Sequence, residues 1–209
     1  MVGGQHFVNG WVSPLRRLLL GLSTLITFAA LAALVLPVSS ARANLIDLSA
    51  CNVSSLSQPF ARWLDPSWYE LAPGGDFESS SWSLAGRAQR VSGSETFAAT
   101  GTLGSWSLSL PAGASAQSPA TCVDAAYPTI RFFISGSGLA TVSVVYGHLT
   151  LPAGVAVAAG GWSPTPVMLT SSALVALTSD GSAQVSVRVT TLLGHVHVDD
   201  VFVDPWNRS

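Results

Sequence analysis

The stretch His195–Pro205, which reads HVHVDDVFVDP, decides the fold of this chain. Side chains alternate between the two faces of an extended strand, so Val196 and Val198 share one face. The two valines that follow the aspartates fall in the opposite phase. A β-bulge at Asp199 and Asp200 would bring all four valines onto one face and redirect a carboxylate, as bulges commonly do near sites. The stretch therefore predicts a half-buried strand with a bulge at its centre.

Similar alternation recurs along the chain, whereas no segment after the amino-terminal region sustains a helical repeat. The clearest alternating runs are 105–110, 129–135, 142–146 and 184–189. In the second run, Phe133 is expected on a second, partly covered face. Turn-forming residues at 135–138 and 152–154 are expected to separate strands. About eight or nine short strands predict an all-β fold, a two-sheet antiparallel sandwich of the jelly-roll kind.

The amino terminus has the pattern of an export signal. Arg16 and Arg17 precede an apolar run at 18–36, and Ala41–Ala43 provides small residues for cleavage after position 43. The remaining residues, 44–209, are then secreted or lie in the cell envelope. Because the apolar run could nearly span a bilayer, an uncleaved helix that anchors the protein in the membrane is the alternative.

Three segments are predicted after the signal. Residues 44–72 contain prolines and aromatic residues without alternation, and we expect an irregular arm that wraps the sandwich. The sandwich follows at 73–205, and a short tail at 206–209. Cys51 and Cys122 are expected to pair in an oxidising compartment, tying the arm to the sandwich. That bond would stabilise the fold by about 4 kcal/mol in the chain-entropy model.

The charge of the exported part excludes one class of partner. It has no lysine, and its six arginines stand against eleven acidic residues, a formal net charge of −5. Binding to nucleic acid needs clustered cations, which are absent here. The sequence therefore predicts no nucleic-acid partner.

Two stretches carry a resemblance to a known family. The run Gly74–Glu78, followed by Trp82, resembles the first core strand of galactose-binding-like jelly rolls, a fold shared by many carbohydrate-binding modules. The run 198–201 resembles the closing strand of the same fold, and Trp162 ahead of Pro164 resembles the tryptophan that leads into a late strand. Almost the whole exported chain also resembles secreted bacterial proteins of similar length.

The resemblance implies a structural calcium ion between the first and last strands. Its ligands here would be Asp76, Glu78, Asp199 and Asp200, and calcium takes six to eight oxygen ligands of this kind. An alternative needs no ion. In that case Asp76 caps the turn after Gly75, and Asp199 or Asp200 pairs with Arg87 or Arg90 or accepts backbone amides at the bulge.

Aromatic side chains on irregular segments are candidates for sugar binding, because a flat ring can cover the apolar face of a pyranose. The candidates are Trp63, Trp68, Tyr69 and Trp162. The alternative for each is packing of the arm against the sandwich. The resemblance implies a glycan as the partner, although fold alone is a weak guide to function.

Catalysis finds little support in the sequence. No serine stands in a nucleophile-elbow motif, and no glycine loop suits a phosphate. His195, His197 and Asp199 would share one face of a regular strand and could hold zinc, which leaves a metal-dependent hydrolase as one alternative. The leading hypothesis is a non-catalytic module that binds extracellular or envelope carbohydrate. The other alternative is a protein-interaction or assembly component of the envelope.

Overall fold

A computed structural model describes residues 55–124, 129–169 and 182–204. The predicted signal segment, Cys51 and the tail lie outside these residues, as does the side chain of Cys122. The disulfide and the fate of the signal therefore stay predictions. Within the described part, no helix has the length and apolar character needed to cross a membrane.

The described residues form eleven β-strands and one short 3₁₀ helix, Ala61–Trp63. The strands are β1 Leu56–Ser57, β2 Tyr69–Leu71, β3 Ser83–Ala85, β4 Gln89–Ser92, β5 Trp106–Pro111, β6 Ser115–Gln117, β7 Thr121–Asp124, β8 Thr129–Tyr146, β9 Leu149–Pro164, β10 Met168–Leu169 and β11 Ser182–Asp204.

The long last strand, β11, organises the fold. Along one edge it pairs with β8 from Ser186 to Asp204. Along its other edge it pairs in turn with β7, β6, β5 and β2. β9 and β10 pair with β8, while β4, β3 and β1 pair with β5, β6 and β2. All these pairings are antiparallel. The predicted all-β antiparallel jelly-roll sandwich is confirmed, with hydrogen bonds linking its strands into one continuous system.

Two predicted turns are instead interior parts of strands. Residues 135–138 lie within β8, and residues 152–154 lie within β9. A Cβ atom at Gly138 would lie 2.4 Å from the carbonyl oxygen of Leu193, and one at Gly194 would lie 2.1 Å from a carbonyl oxygen of β8. These glycines therefore allow two strand backbones to approach closely, rather than reversing the chain. This is why the strands are longer than the sequence predicted.

The predicted bulge in β11 is confirmed. The pairing of β11 with β8 shifts register between Asp199 and Phe202, and Asp200 has a positive φ of 46°. The valines on both sides of the bulge belong to the main core: Val196, Val198, Val201 and Val203. The extra residue thus keeps one apolar face turned inward along the whole strand.

A second, smaller core lies on the outer face, by which we mean the face of β5, β8 and β11 opposite the main core. It contains Phe60, Tyr69, Phe133 and Phe202, all buried. Phe60 stacks on Phe133 with ring centroids 5.3 Å apart. The arm therefore covers one end of the second face of β8, where Phe133 lies as predicted. It is not wholly irregular, because β2 adds a strand to β11 and so satisfies the backbone there.

A buried ion pair fastens the arm to β8. Nη1 of Arg131 lies 2.6 Å from Oδ2 of Asp65, and the Tyr69 hydroxyl donates to the same oxygen at 2.8 Å. Nε of Arg131 donates to the carbonyl oxygen of Thr165 at 2.9 Å. Burial alone would raise the pKa of Asp65, but its hydrogen bonds, first that from Arg131, hold the pKa below its usual value. The arm is thus anchored by charge as well as by aromatic packing.

Candidate functional site

The outer face has three parts, and they differ in what covers them. The arm covers one end, where the second core lies. The segment 93–99 covers the middle, where it contacts the bulge of β11. The remaining part, around His195, is open. The predicted site residues are divided among these three parts.

The predicted sugar-binding aromatics have different surroundings. Tyr69 is 1% exposed, so its ring offers no face to a ligand, and its assignment to an irregular segment was wrong because it begins β2. Trp63 and Trp162 are partly buried against the second core. Trp68 is 53% exposed. The four residues therefore do not form one platform.

The ring of Trp63 is occupied by neighbours. Phe97 and Phe133 approach it edge-on, with ring centroids 5.0 Å and 5.3 Å away. The guanidinium of Arg62 lies over it, 4.6 Å from its centroid. Such contacts hold an aromatic ring in place and contribute packing energy. Trp63 thus belongs structurally to the join between the arm and β8.

Trp162 lies beside the open part of the outer face. The pairing of β8 with β9 shifts between Ile134 and Gly136, which leaves Gly161 and Trp162 opposite Ser135. The ring packs against the second core but stays partly exposed. Among the predicted aromatic residues, Trp162 has a ring that is both held in place and partly accessible.

In the middle part, the carboxylate of Asp199 accepts three hydrogen bonds. Oδ2 accepts from the Ser94 hydroxyl at 2.7 Å and from the Glu95 amide at 2.8 Å. Oδ1 accepts from the Asp200 amide at 2.9 Å. The bulge therefore aims the Asp199 side chain at the segment 93–99, which it holds against the sheet.

Glu95 joins the two aspartates in a buried acidic cluster, Glu95, Asp199 and Asp200. Its carboxylate accepts hydrogen bonds from the amides of Phe97 and, at 2.9 Å, Ala99. Glu95 also shares a hydrogen bond with Asp200. Sequence reasoning missed Glu95, which stands in a segment without alternation and gives no signal of burial.

Burial raises the pKa values of both aspartates. The pKa of Asp199 rises to about 7, chiefly by burial, although its hydrogen bonds oppose the rise. The pKa of Asp200 rises to about 8, first by burial and then by the charges of Asp199 and Glu95. No ion pair with a cationic side chain is found for this cluster in the described part of the chain. The cluster therefore retains protons at neutral pH.

The predicted calcium ligands are only partly brought together. The amide of Val201 donates to the carbonyl oxygen of Gly75 at 3.0 Å, and this contact brings Asp76 close enough to raise the pKa of Asp200. Glu78 is turned away, since its Oε1 accepts from the amide of Ser105 at 2.6 Å.

Glu95 takes the position that the resemblance gave to Glu78. The donor atoms are all oxygens, which suits calcium. In their present arrangement, no three His, Cys, Asp or Glu side chains in the described ranges could hold a metal ion. Calcium binding stays a prediction. The predicted arginine partner is wrong for Arg90, which donates to the carbonyl oxygens of Phe77 and Glu78 instead.

Two rows of side chains cross the open part of the outer face. Residues that pair directly across a sheet lie on the same face, so the strand register defines the rows. The first row is Gln89, Ser109, His197 and Ser135, and the second is Pro111, His195, Ser137 and Ala159. Ser109 and Ser135 are buried beneath their neighbours, whereas Gln89, His195, Ser137 and Ala159 are exposed. We call these two rows the imidazole stripe. They contain no acidic or basic side chain apart from the imidazoles.

The two imidazoles of the stripe are held in fixed positions. The rings of His195 and His197 stack with centroids 4.9 Å apart and planes 26° from parallel. Nε2 of His195 lies 2.7 Å from the hydroxyl oxygen of Ser109. Burial, and then the charge of His195, lower the pKa of His197. The carboxylate of Asp199 is bonded elsewhere, so the structure does not bring it to the histidines as a third metal ligand.

No protein-family model and no curated protein matches the sequence. Among solved structures, the chain is similar to the C-terminal family 22 carbohydrate-binding module of Clostridium thermocellum Xyn10B, with a TM-score of 0.43, 15% identity and coverage of 68% of this chain and 95% of that one. It is similar to the C-terminal CBM6 of LamC from Zobellia galactanivorans, with a TM-score of 0.42, 10% identity and coverage of 64% and 96%. A third similar structure is TmCBM61 with β-1,4-galactotriose, at a TM-score of 0.40, 15% identity and coverage of 62% and 94%. These are modules of the class that the sequence resembles.

Proposed function

We propose that this protein is a non-catalytic module that binds a glycan on its outer face, outside the cytoplasmic membrane. The observation that carries the proposal is Trp162, a partly exposed ring that packs against the second core and lies beside the open part of the outer face, where Ser137 and His195 are exposed. A sugar has apolar C–H faces and polar edges, and a fixed ring beside hydrogen-bonding groups complements both.

The carboxyl groups of the acidic cluster support a binding role rather than hydrolysis. Glycoside hydrolysis uses two carboxyl groups that flank the scissile bond. Asp199, Asp200 and Glu95 are buried and are hydrogen-bonded to the segment 93–99. These carboxyl groups hold the segment 93–99 against the sheet.

Replacing Trp162 tests the proposal. A panel of bacterial-envelope and plant polysaccharides is screened by affinity gel electrophoresis against the protein and its Trp162→Ala variant. We expect retardation by at least one polysaccharide and a loss of about tenfold or more in the variant, which corresponds to about 1.4 kcal/mol. Leu103→Ala, which removes an exposed apolar side chain that is not a candidate for sugar binding, is the control and should bind as the parent does. A panel that retards nothing would contradict the proposal.

Protein interaction is the second candidate, and exposed apolar residues favour it. Val157 and Leu193 are 62% and 64% exposed, and both pair with Leu139 on the outer face of β8. Such a row suits a protein partner in the envelope. A partner cross-linked to the protein and lost on Val157→Asp, with the glycan screen negative, would favour this candidate over the first.

A further inference from the structure

We propose that the imidazole stripe is the surface that contacts the glycan, and that it takes an extended, neutral polysaccharide. This inference rests on the proposed function and adds to it a set of contact residues and a class of ligand. Neither histidine was among the residues predicted to bind sugar.

The stripe offers hydrogen bonds from groups that are already ordered. Stacking and the contact with Ser109 fix the rings of His195 and His197 before a ligand arrives. A ligand therefore does not have to immobilise these side chains, which lowers the entropic cost of binding. Imidazole nitrogens both donate and accept hydrogen bonds, and sugar hydroxyl groups need both.

The length of the stripe favours a chain over a single sugar. Its first row crosses β4, β5, β11 and β8, a width of about 14 Å at the usual strand spacing. Trp162 stands on β9 at the end of that row, opposite Ser135. Ser109 and Ser135 are buried in this row, so its accessible groups are Gln89 at one end, the half-buried His197 in the middle and the ring of Trp162 at the other end. Groups spaced in this way fit several consecutive sugar units.

The charges around the stripe favour a neutral ligand. An acidic glycan would need a cation, and neither row contains Lys or Arg. Arg131 is paired with Asp65, and Arg90 lies over the ring of Trp106, 4.0 Å from its centroid.

The test compares a double variant with a matched control. His195→Ala combined with His197→Ala removes both rings, while His148→Ala removes an exposed histidine at the turn between β8 and β9. Gln89→Ala is a second stripe variant at an exposed position. Each protein is measured by affinity gel electrophoresis with neutral polysaccharides and with polysaccharides that carry uronate or sulfate. Thermal melts confirm that each variant is folded.

We expect the neutral polysaccharide to be bound about tenfold more weakly by the double variant, and about threefold more weakly by Gln89→Ala, as lost hydrogen bonds dictate. His148→Ala should bind as the parent does. Unchanged binding by both stripe variants, with loss in Trp162→Ala, would overturn this inference and leave the proposed function standing. Binding of charged polysaccharides alone would overturn the ligand class. Binding of no polysaccharide would overturn the proposed function itself.

Discussion

The two ends of the outer face belong to the same pair of strands, yet they have opposite character. At one end, β8 and β11 present Arg131, Phe133 and Phe202, which the arm covers completely. At the other end, the same strands present Ser137 and His195, which are exposed. Inward-facing residues are apolar at both ends. The residues on the second face of a strand therefore depend on what packs against that face. Large apolar residues mark the part that is covered, and polar residues mark the part that is exposed.

The largest expected effect is at the covered end. Phe133→Ala should lower the free energy of unfolding by about 3–5 kcal/mol, because the ring packs among Phe60, Trp63 and Phe97 and a cavity would remain. Urea denaturation measures the loss. Ser137→Ala is the control, because Ser137 lies four residues after Phe133 on the same face of β8. We expect it to change the free energy of unfolding by no more than about 0.5 kcal/mol. Similar losses for both variants would erase the distinction between the two ends.

The next effect concerns the ion pair that fastens the arm. Arg131→Met should cost about 2–3 kcal/mol, because it leaves the Asp65 carboxylate without its cation in a nearly buried position. The double variant Arg131→Met with Asp65→Leu should recover part of the loss, since neither charge is then left alone. Denaturant midpoints of the single and double variants give the coupling. A double variant less stable than Arg131→Met would show that the pair is not what holds the arm.

An effect that depends on pH is expected between the two ends, where the acidic cluster lies. The aspartates ionise near 3.8 when unfolded, whereas Asp199 and Asp200 have pKa values of about 7 and 8 in the folded protein. Between the pKa values of the unfolded and folded states, the folded protein binds more protons than the unfolded protein does. The free energy of unfolding therefore falls as the pH rises. With a chelator present, the melting temperature should drop by roughly 10 °C or more from pH 5 to pH 8.5. Asp200→Asn should flatten the profile, and a rise with pH would contradict the raised pKa values.

A further prediction concerns calcium binding at the same acidic cluster. Added calcium should raise the melting temperature at pH 8 and reduce its pH dependence, because the ion replaces the missing positive charge. Glu95→Gln should remove most of that response, while Glu78→Gln, whose carboxylate lies elsewhere, should keep it. A melting temperature that changes neither with chelator nor with added calcium would contradict calcium binding.

The smallest effect belongs to the open end. His195→Ala and Gln89→Ala should each change the free energy of unfolding by less than about 0.5 kcal/mol, because both side chains are exposed. Chemical denaturation measures this, with Phe133→Ala as the contrasting variant. A loss above about 1 kcal/mol in either would mean that the stripe is part of the structural framework.

Alternation was enough to predict the inward faces and the bulge, because a period of two fixes which side chains share a face. The phase change at Asp199 and Asp200 left no other way to keep the valines buried. The same rule placed Phe133 on the second face. It could not tell that β8 continues through Gly136 and Gly138, since glycine is equally typical of turns and of close backbone approach.

The acidic cluster shows why the site was harder to predict than the fold. Asp199 and Asp200 were found because they interrupt an alternating strand. Glu95 comes from a distant segment that folds over the bulge, and Glu78 is turned away by two backbone amides at the start of β5. Those directions depend on long-range contacts, which periodicity does not contain.

The ion pair between Asp65 and Arg131 also bears on where this module begins as an evolutionary unit. A gene fusion or duplication that copied only residues after 72 would leave a buried arginine without its anion, and one end of β8 and β11 without its aromatic cover. The segment that can move between proteins as an independently folding piece must therefore start before Leu56.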